Sequence, residues 1–136
     1  MATFARARLV PLLPVRDMSR ALRFYTKKLG AKVLMRAPGP MRNYWASIRI
    51  GQVEVWFVRP DQPEKRNLSY HTFLVRNVRS AVKGLQKKGV RFDRGQKTPA
   101  TTKLEGPINW EPWGGSAYFR DTEGNLLMVW QNIPPM

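Results

Sequence analysis

The alternation of apolar and polar residues is clearest in the last stretch of the chain, residues 111–131. Small or aromatic residues alternate with polar ones up to Arg120, and a nearly unbroken apolar run returns from Leu126. Between them, residues 121–125 predict a turn, because their carboxylate and amide side chains can bond the local backbone and Gly124 tolerates a positive φ. The pattern predicts a β-hairpin whose second strand is buried on both faces. Because an isolated hairpin is marginal in water, this one must belong to a larger sheet.

The first half of the chain predicts the order β-α-β-β-β. Asp17 is expected to cap a helix, since the apolar residues that follow it recur at helical spacing, and Gly30 is expected to end it. Apolar runs and turn residues predict the four strands at residues 9–15, 31–35, 44–50 and 53–58.

The same order begins again after a polar, proline-containing stretch, residues 59–67, which predicts a linker. A strand is expected from Ser69. Residues 75–82 repeat the pattern of residues 15–22, with Asn77 in place of Asp17, and residues 90–92 predict the next strand. Residues 53–56 correspond to residues 127–130 in the repeat, so Trp56 and Trp130 are expected to occupy equivalent positions. The intervening residues, 93–115, predict a structureless loop that is long enough to act as a lid and contains Trp110 and Trp113.

Composition narrows the possible functions. The 136 residues are 43% apolar and 24% charged, as in ordinary globular proteins. The absence of cysteine excludes disulfides, thiolate catalysis and cysteine-ligated metals. No window is apolar enough to span a membrane, and prolines interrupt the short apolar run near the N-terminus, so we predict neither a membrane partner nor a signal peptide. A cytoplasmic location is expected.

The charge is unusual, since 24 basic and 9 acidic residues give a net charge of +15. Such an excess attracts anionic ligands and polyanions. The basic residues are scattered rather than clustered, which favours a solvated basic surface over a nucleic-acid site. Binding to nucleic acid or another polyanion stays open as a less favoured alternative.

Several segments together resemble the vicinal oxygen chelate superfamily, which includes glyoxalases, bleomycin-resistance proteins and dioxygenases. The segments are residues 13–17, 21–25, 29–30, 112–115 and 119–126. The resemblance implies an α+β fold in which two tandem βαβββ modules form a cupped, partly closed mixed β-sheet with the helices outside. We predict one domain, residues 1–136, with modules at residues 8–58 and 68–132, and a homodimer. The resemblance implies no particular reaction, because this fold hosts both enzymes and binding proteins.

Strand alternation predicts which side chains face the concave side of the sheet. The predicted ligand-binding residues are those that combine this position with aromatic, charged or polarisable side chains: Trp45, Arg49, Glu54, Trp56, Tyr70, Tyr118, Arg120, Met128 and Trp130. His71 points to the helix side by the same rule. It is interpreted as a core or edge residue rather than as a ligand or a base.

Metal-dependent members of the superfamily use histidine, glutamate or glutamine at four positions on the concave face. By the resemblance, those positions fall on Val10, Glu54, Tyr70 and Met128. Glu54 alone suits a divalent cation, so we predict no metal or other cofactor.

The leading hypothesis is therefore a bleomycin-resistance-like protein that binds a planar or amphiphilic small molecule, neutral or anionic, without metal and without chemistry. Glu54 either pairs with Arg49 or Arg120 or contacts a cationic group of the ligand. One alternative is a divergent enzyme that uses Glu54 as a base and Tyr70 or Tyr118 as an acid.

Overall fold

A computed structural model describes residues 8–60 and 70–133. Within those residues the chain forms helices α1 (Met18–Leu29) and α2 (Val78–Lys87) and a short 3-10 helix at Gly39–Met41. Its strands are β1 (Leu12–Pro14), β2 (Lys32–Arg36), β3 (Trp45–Ile50), β4 (Val53–Val58), β5 (Tyr70–Leu74), β6 (Lys103–Glu105), β7 (Ile108–Glu111), β8 (Gly114–Arg120) and β9 (Leu126–Asn132). The chain divides into two compact units, Met1–Pro63 and Glu64–Met136, called unit 1 and unit 2 below. Neither described helix is long and apolar enough to cross a membrane.

Unit 1 contains a four-stranded sheet in the order β1-β4-β3-β2, with β1 parallel to β4 and the other pairs antiparallel. Helix α1 packs against one face of this sheet. Tyr25 of α1 meets Phe57 of β4 edge to face, with 4.8 Å between ring centroids, and both side chains are fully buried. Ala46 and Ile48 of β3 are buried on the same face, so the core of unit 1 lies between the helix and the sheet.

Unit 2 contains a five-stranded sheet in the order β5-β9-β8-β7-β6, in which β5 is parallel to β9. Helix α2 packs on β8 and β9. Phe119 of β8 and Val129 of β9 are buried on this side, and Phe73 of β5 stacks on Phe119 with 6.5 Å between ring centroids. The structure thus confirms an α+β fold of two modules, and its strands lie in two open mixed sheets.

The predicted helix caps are confirmed. Asp17 accepts a hydrogen bond from the Arg20 N–H at 3.0 Å, and Asn77 accepts one from the Ser80 N–H at the same distance. Gly30 ends α1 in the left-handed conformation, with φ of 71°. These caps satisfy backbone donors that the first turn of a helix otherwise leaves free.

The closing hairpin is also confirmed, as β8 and β9. Asp121 holds the turn, since its Oδ1 accepts from the backbone N–H groups of Glu123 and Asn125, both at 2.8 Å. The prediction that the second strand is buried on both faces is wrong. Leu127 and Val129 are buried against the helix side, whereas Met128 and Trp130 on the other face are half-buried.

Two predicted strands are shorter than expected. Strand β1 covers three residues rather than 9–15, and the strand predicted at 90–92 is reduced to one isolated bridge, between Phe92 and Phe119. Proline cannot donate to a strand ladder, which accounts for the late start of β1 after Pro11. The linker prediction lies largely outside the described residues, as does the predicted strand start at Ser69.

The prediction of a structureless loop at residues 93–115 is wrong. Strands β6 and β7 form a hairpin within it, and β7 pairs with the first half of β8. Gly106 turns this hairpin with φ of 57°. The alternation of buried apolar and polar positions in β7 is only four residues long, and so short a run does not separate a strand from a loop in the sequence.

Candidate ligand-binding site

Each sheet has one face against its own helix and one face turned away from it, which we call the open face. The open face of unit 1 carries Trp45 and Arg49 of β3 and Glu54 and Trp56 of β4, as the alternation along the strands predicted. The open face of unit 2 carries Tyr118, Arg120, Met128 and Trp130. The structure therefore groups eight of the nine predicted site residues on two open faces.

The ninth predicted site residue, Tyr70, begins β5 and pairs with Leu126 in the backbone register. Its side chain lies outside what the structure describes. Its predicted role stays a prediction.

Trp56 is held in place from two sides on the open face of unit 1. Its ring meets Trp45 edge to face, with 5.5 Å between centroids and an interplanar angle of 76°. Its indole N–H donates to Glu54 Oε2 at 2.6 Å. The side chain nevertheless keeps 37% of its surface exposed. The result is a fixed aromatic ring that is still accessible.

The partner of the Glu54 carboxylate differs from the prediction. Arg8 donates to Glu54 Oε1 at 3.1 Å, whereas the sequence analysis named Arg49 or Arg120. Arg49 lies directly opposite Glu54 in the register of β3 and β4, but its side chain extends into solvent. Both Glu54 oxygens are therefore occupied, one by a guanidinium and one by an indole. Arg8 precedes every predicted element, and no local signal in the sequence points to it.

The tryptophan on the open face of unit 2 is more enclosed than Trp56. The indole N–H of Trp130 donates to Asn132 Oδ1 at 2.7 Å, and the ring lies over Gly114. Arg120 is exposed and donates to the Gly124 carbonyl oxygen at 3.1 Å, which ties it to the hairpin turn. Tyr118 and Met128 face each other across β8 and β9 and are half-buried.

The repeat alignment that made Trp56 equivalent to Trp130 is displaced by two residues. In unit 1 the Val15 N–H donates to the Val58 carbonyl, and in unit 2 the Val75 N–H donates to the Trp130 carbonyl, both at 2.9 Å. Val58, not Trp56, thus occupies the position of Trp130. A shift of two keeps a side chain on the same face of a strand, so the two indoles share a type of face but not an equivalent position.

A charged cluster on the helix side of unit 2 was missed by the sequence analysis. The Arg79 guanidinium lies 4.9 Å from the ring centroid of Trp110 and also donates to both Glu105 oxygens, Nη2 to Oε1 at 2.9 Å. A shallow cleft of about 420 Å³ opens beside it. Arg79 and Glu105 are 26 residues apart, so spacing gives no hint of their contact.

The ion pair changes the titration of this cluster. Hydrogen bonds from Arg79 lower the pKa of the Glu105 carboxyl to about 2. The Trp110 indole N–H also contributes to the lowered pKa, although its geometry falls short of a full hydrogen bond. Glu105 therefore stays ionised throughout the neutral range and keeps Arg79 stacked on Trp110.

Asn109 of β7 is a further residue that the sequence analysis missed. Its amide nitrogen donates to the Gln96 carbonyl at 3.0 Å and so anchors the loop that follows α2. Its Oδ1 atom is buried and has no hydrogen-bond partner among the described residues. By register Asn109 lies beside Ser116, on the open face of unit 2.

The sequence matches a known protein family over most of its length. The family model for the glyoxalase/bleomycin resistance protein/dioxygenase superfamily matches residues 7–129. The chain belongs to this superfamily. A search of curated protein sequences finds no significant match.

Several solved structures share the fold at low sequence identity. TnmS3, an antibiotic binding protein from Streptomyces sp. CB03234, is 24% identical with a TM-score of 0.62, covering 93% of this chain and 98% of TnmS3. TioX from Micromonospora sp. ML1 is 19% identical with a TM-score of 0.61, covering 92% and 95%. The fosfomycin resistance protein FosX from Listeria monocytogenes is 14% identical with a TM-score of 0.69, covering 91% and 89%. At these identities the likeness establishes the fold alone.

The metal positions that the superfamily implies do not fit an ion in this member. Val10 has no donor atom, and the thioether of Met128 is a poor ligand for hard cations. With the repeat alignment corrected, the counterpart of Met128 in unit 1 is Trp56, whose indole is not a metal ligand, and both oxygens of the originally assigned Glu54 already accept hydrogen bonds. Within residues 8–60 and 70–133, no three acidic or histidine side chains lie together in a group that could hold a metal ion.

His71, the one histidine of the sequence, lies on β5 and is half-buried. Its Nδ1 atom is buried and has no partner among the described residues, and burial lowers the pKa of the imidazole from its ordinary value of 6.5. Its position by register, beside Leu127 on β9, agrees with the interpretation as a core or edge residue.

Stability is expected to fall as the pH drops below about 6.5, the ordinary pKa. In that range the unfolded chain binds a proton that the folded His71 resists, so protonation favours unfolding. Thermal melts of the wild type and of His71→Gln between pH 7.5 and 5.5 test this, roughly spanning the ordinary histidine pKa. The melting temperature of the variant should change less with pH. Identical profiles would show that His71 is not the group responsible.

Proposed function

We propose that this protein binds a planar aromatic small molecule non-covalently and without a metal, with Trp56 as the main stacking surface. The observation that carries the proposal is that Trp56 is both fixed and accessible. A large indole that is 37% exposed leaves apolar surface in water, and a planar ligand would cover that surface.

The contacts with Trp45 and Glu54 that hold Trp56 in place favour a role in ligand binding. A ring that already has its orientation loses little conformational entropy when a ligand stacks on it. Trp45 blocks one side and Glu54 holds the indole nitrogen, so the rest of the ring is left for a partner. Stacking of a base on an aromatic side chain contributes about 1–3 kcal/mol, and a planar drug-like ring should gain a similar amount.

The remaining predicted site residues keep their proposed roles. Trp130 and Tyr118 would offer aromatic surface on the open face of unit 2, with Arg120 and Met128 beside them. The name of TnmS3 as an antibiotic binding protein supports an antibiotic-like ligand for this chain as well. The homodimer and the cytoplasmic location stay predictions from the sequence.

The geometry gives less support to an enzyme that uses Glu54 as a base. Both carboxylate oxygens already accept hydrogen bonds, one from a guanidinium and one from an indole. A substrate proton would have to displace Arg8 or Trp56 to reach either oxygen. General bases are instead placed within direct reach of the proton that they remove.

Titration with acridone, a neutral planar tricycle, tests the proposed function. Acridone absorbs where tryptophan emits, so binding should quench the tryptophan fluorescence saturably. Protein dialysed against a chelator should contain no stoichiometric metal by elemental analysis and should bind as well as untreated protein. Added zinc should leave the affinity unchanged. Loss of binding on chelation, or about one tightly held ion per chain, would contradict the metal-free proposal.

A further inference from the structure

The charges around Trp56 are not balanced. Among the described residues of unit 1, Glu54 is the one acidic residue on this open face, and Arg8 already pairs with it. Arg49, on the neighbouring strand, is exposed, and its guanidinium has no partner among the described residues of unit 1. The net charge left beside the exposed indole is therefore positive, which agrees in sign with the charge of +15 for the whole chain.

The register of β3 and β4 places this free guanidinium near the ring. Ser47 lies directly opposite Trp56, and Arg49, two residues along β3, is its diagonal neighbour on the same face. Diagonal neighbours in an antiparallel pair are about 7–8 Å apart at their backbones, a distance that an arginine side chain spans. A substituent on the edge of a ring stacked on Trp56 can thus lie within reach of Arg49.

Arginine recognises particular ligand groups. Its planar fork of donors matches a carboxylate or sulfonate and binds it with two parallel hydrogen bonds. The fork of Arg8 is directed at Glu54, whereas that of Arg49 is available. A cationic ligand would meet an unpaired positive charge here, whereas an anionic ligand would neutralise it.

We propose that the ligand is a planar aromatic acid, that Arg49 binds its anionic group, and that Glu54 is a positioning residue which orients Trp56 and does not contact the ligand. This inference rests on the proposed function and narrows it to one class of ligand. It also gives Glu54 a different part from the contact with a cationic group that the sequence left open.

A matched pair of probes, acridone and acridone-4-carboxylate, tests the role of Arg49 because the two differ in the acid group. The wild type should bind the carboxylate more tightly than acridone, and added salt should reduce that preference. Arg49→Gln removes the charge and the paired donors of the guanidinium, so it should weaken the carboxylate about tenfold or more and leave acridone unchanged. Arg23→Gln, an exposed arginine of α1, removes the same net charge and should leave both affinities unchanged.

Two variants of Glu54 test its positioning role. Glu54→Leu removes the acceptor for the Trp56 indole, so it should weaken both probes by a similar factor and lower the steady-state anisotropy of the tryptophan emission. Glu54→Gln keeps an acceptor oxygen, so it should restore binding of both probes and the anisotropy. A residue with a purely structural role would not show this rescue together with the change in anisotropy.

The outcomes separate the inference from the function on which it rests. If the wild type binds acridone and its carboxylate equally, or if Arg23→Gln reproduces the effect of Arg49→Gln, the inference is overturned and the proposed function stands. Selective weakening of one probe by Glu54→Leu would overturn the positioning role. If neither probe quenches the wild type, both proposals fail.

Discussion

Replacing Gly114 with alanine is expected to lower the melting temperature by roughly 10 °C, which corresponds to a loss of about 3 kcal/mol for a chain of this size. A Cβ atom at this position would overlap Cζ2 of the Trp130 ring and lie 2.5 Å from the Gln131 carbonyl oxygen. A ring and a backbone oxygen on a central pair of strands cannot both move aside cheaply. The variant must therefore shift β8 against β9 or expel the indole.

Gly84→Ala provides the matched control for this prediction. Gly84 lies inside α2, and an added Cβ there meets no atom within 4 Å. Alanine should stabilise the helix by about 0.5–1 kcal/mol, because glycine loses more conformational entropy on folding. The melting temperature, measured by circular dichroism, should therefore fall for Gly114→Ala and rise for Gly84→Ala. A Gly114→Ala variant that melts at the same temperature as the wild type would show that the Trp130 packing tolerates a methyl group.

This packing gives a physical role to the glycine pair that helped to carry the family resemblance. Gly114 lies under Trp130 on the open face, and Gly115 lies under Trp110 on the helix side, where a Cβ would come within 2.6 Å of the ring. Successive residues of a strand point to opposite faces, so two adjacent glycines make room for one indole on each face.

Replacing Trp56 with alanine is expected to weaken the binding of acridone about tenfold or more, since 1.4 kcal/mol is a factor of ten and one stacked face is worth 1–3 kcal/mol. Trp113→Ala is the matched control, because Trp113 is 54% exposed and lies in the turn between β7 and β8, not on the open face of either sheet. Its removal should leave the affinity unchanged, as measured by calorimetry.

Loss of the fold could imitate loss of the site in this experiment. The melting temperatures of Trp56→Ala and Trp113→Ala must therefore be compared with that of the wild type. Trp56→Phe, which keeps a ring but not the N–H, should retain part of the affinity. Unchanged affinity in a folded Trp56→Ala variant would mean that Trp56 is exposed for a reason other than binding.

Local features of the fold could be predicted from the sequence. The Asp17 and Asn77 caps and the Asp121 turn depend on neighbours within four residues, so the sequence contains all of their chemistry. The assignment of side chains to the two faces of β3, β4 and β9 could also be predicted. It depends on alternation along each strand, and an error of two residues leaves alternation unchanged.

Contacts that are distant in sequence could not be predicted in the same way. Arg8 and Glu54 are 46 residues apart, and nothing in their local sequence distinguishes them from other charged residues. The misalignment of Trp56 with Trp130 has a similar cause. In both modules a tryptophan follows two aliphatic residues that are two positions apart, so the two segments look alike in sequence. The turns that set the register differ in length, with two residues after Ile50 and five after Arg120.

The most direct test of the proposed site is the movement of the tryptophan indole signals in a nitrogen–proton correlation spectrum. The five tryptophans should each give one indole signal, and single Trp→Phe variants assign them. Adding acridone-4-carboxylate is predicted to shift the signals of Trp56 and of its neighbour Trp45 and to leave that of Trp113 in place. A Trp56 signal that stays fixed while the ligand binds would contradict the proposed site.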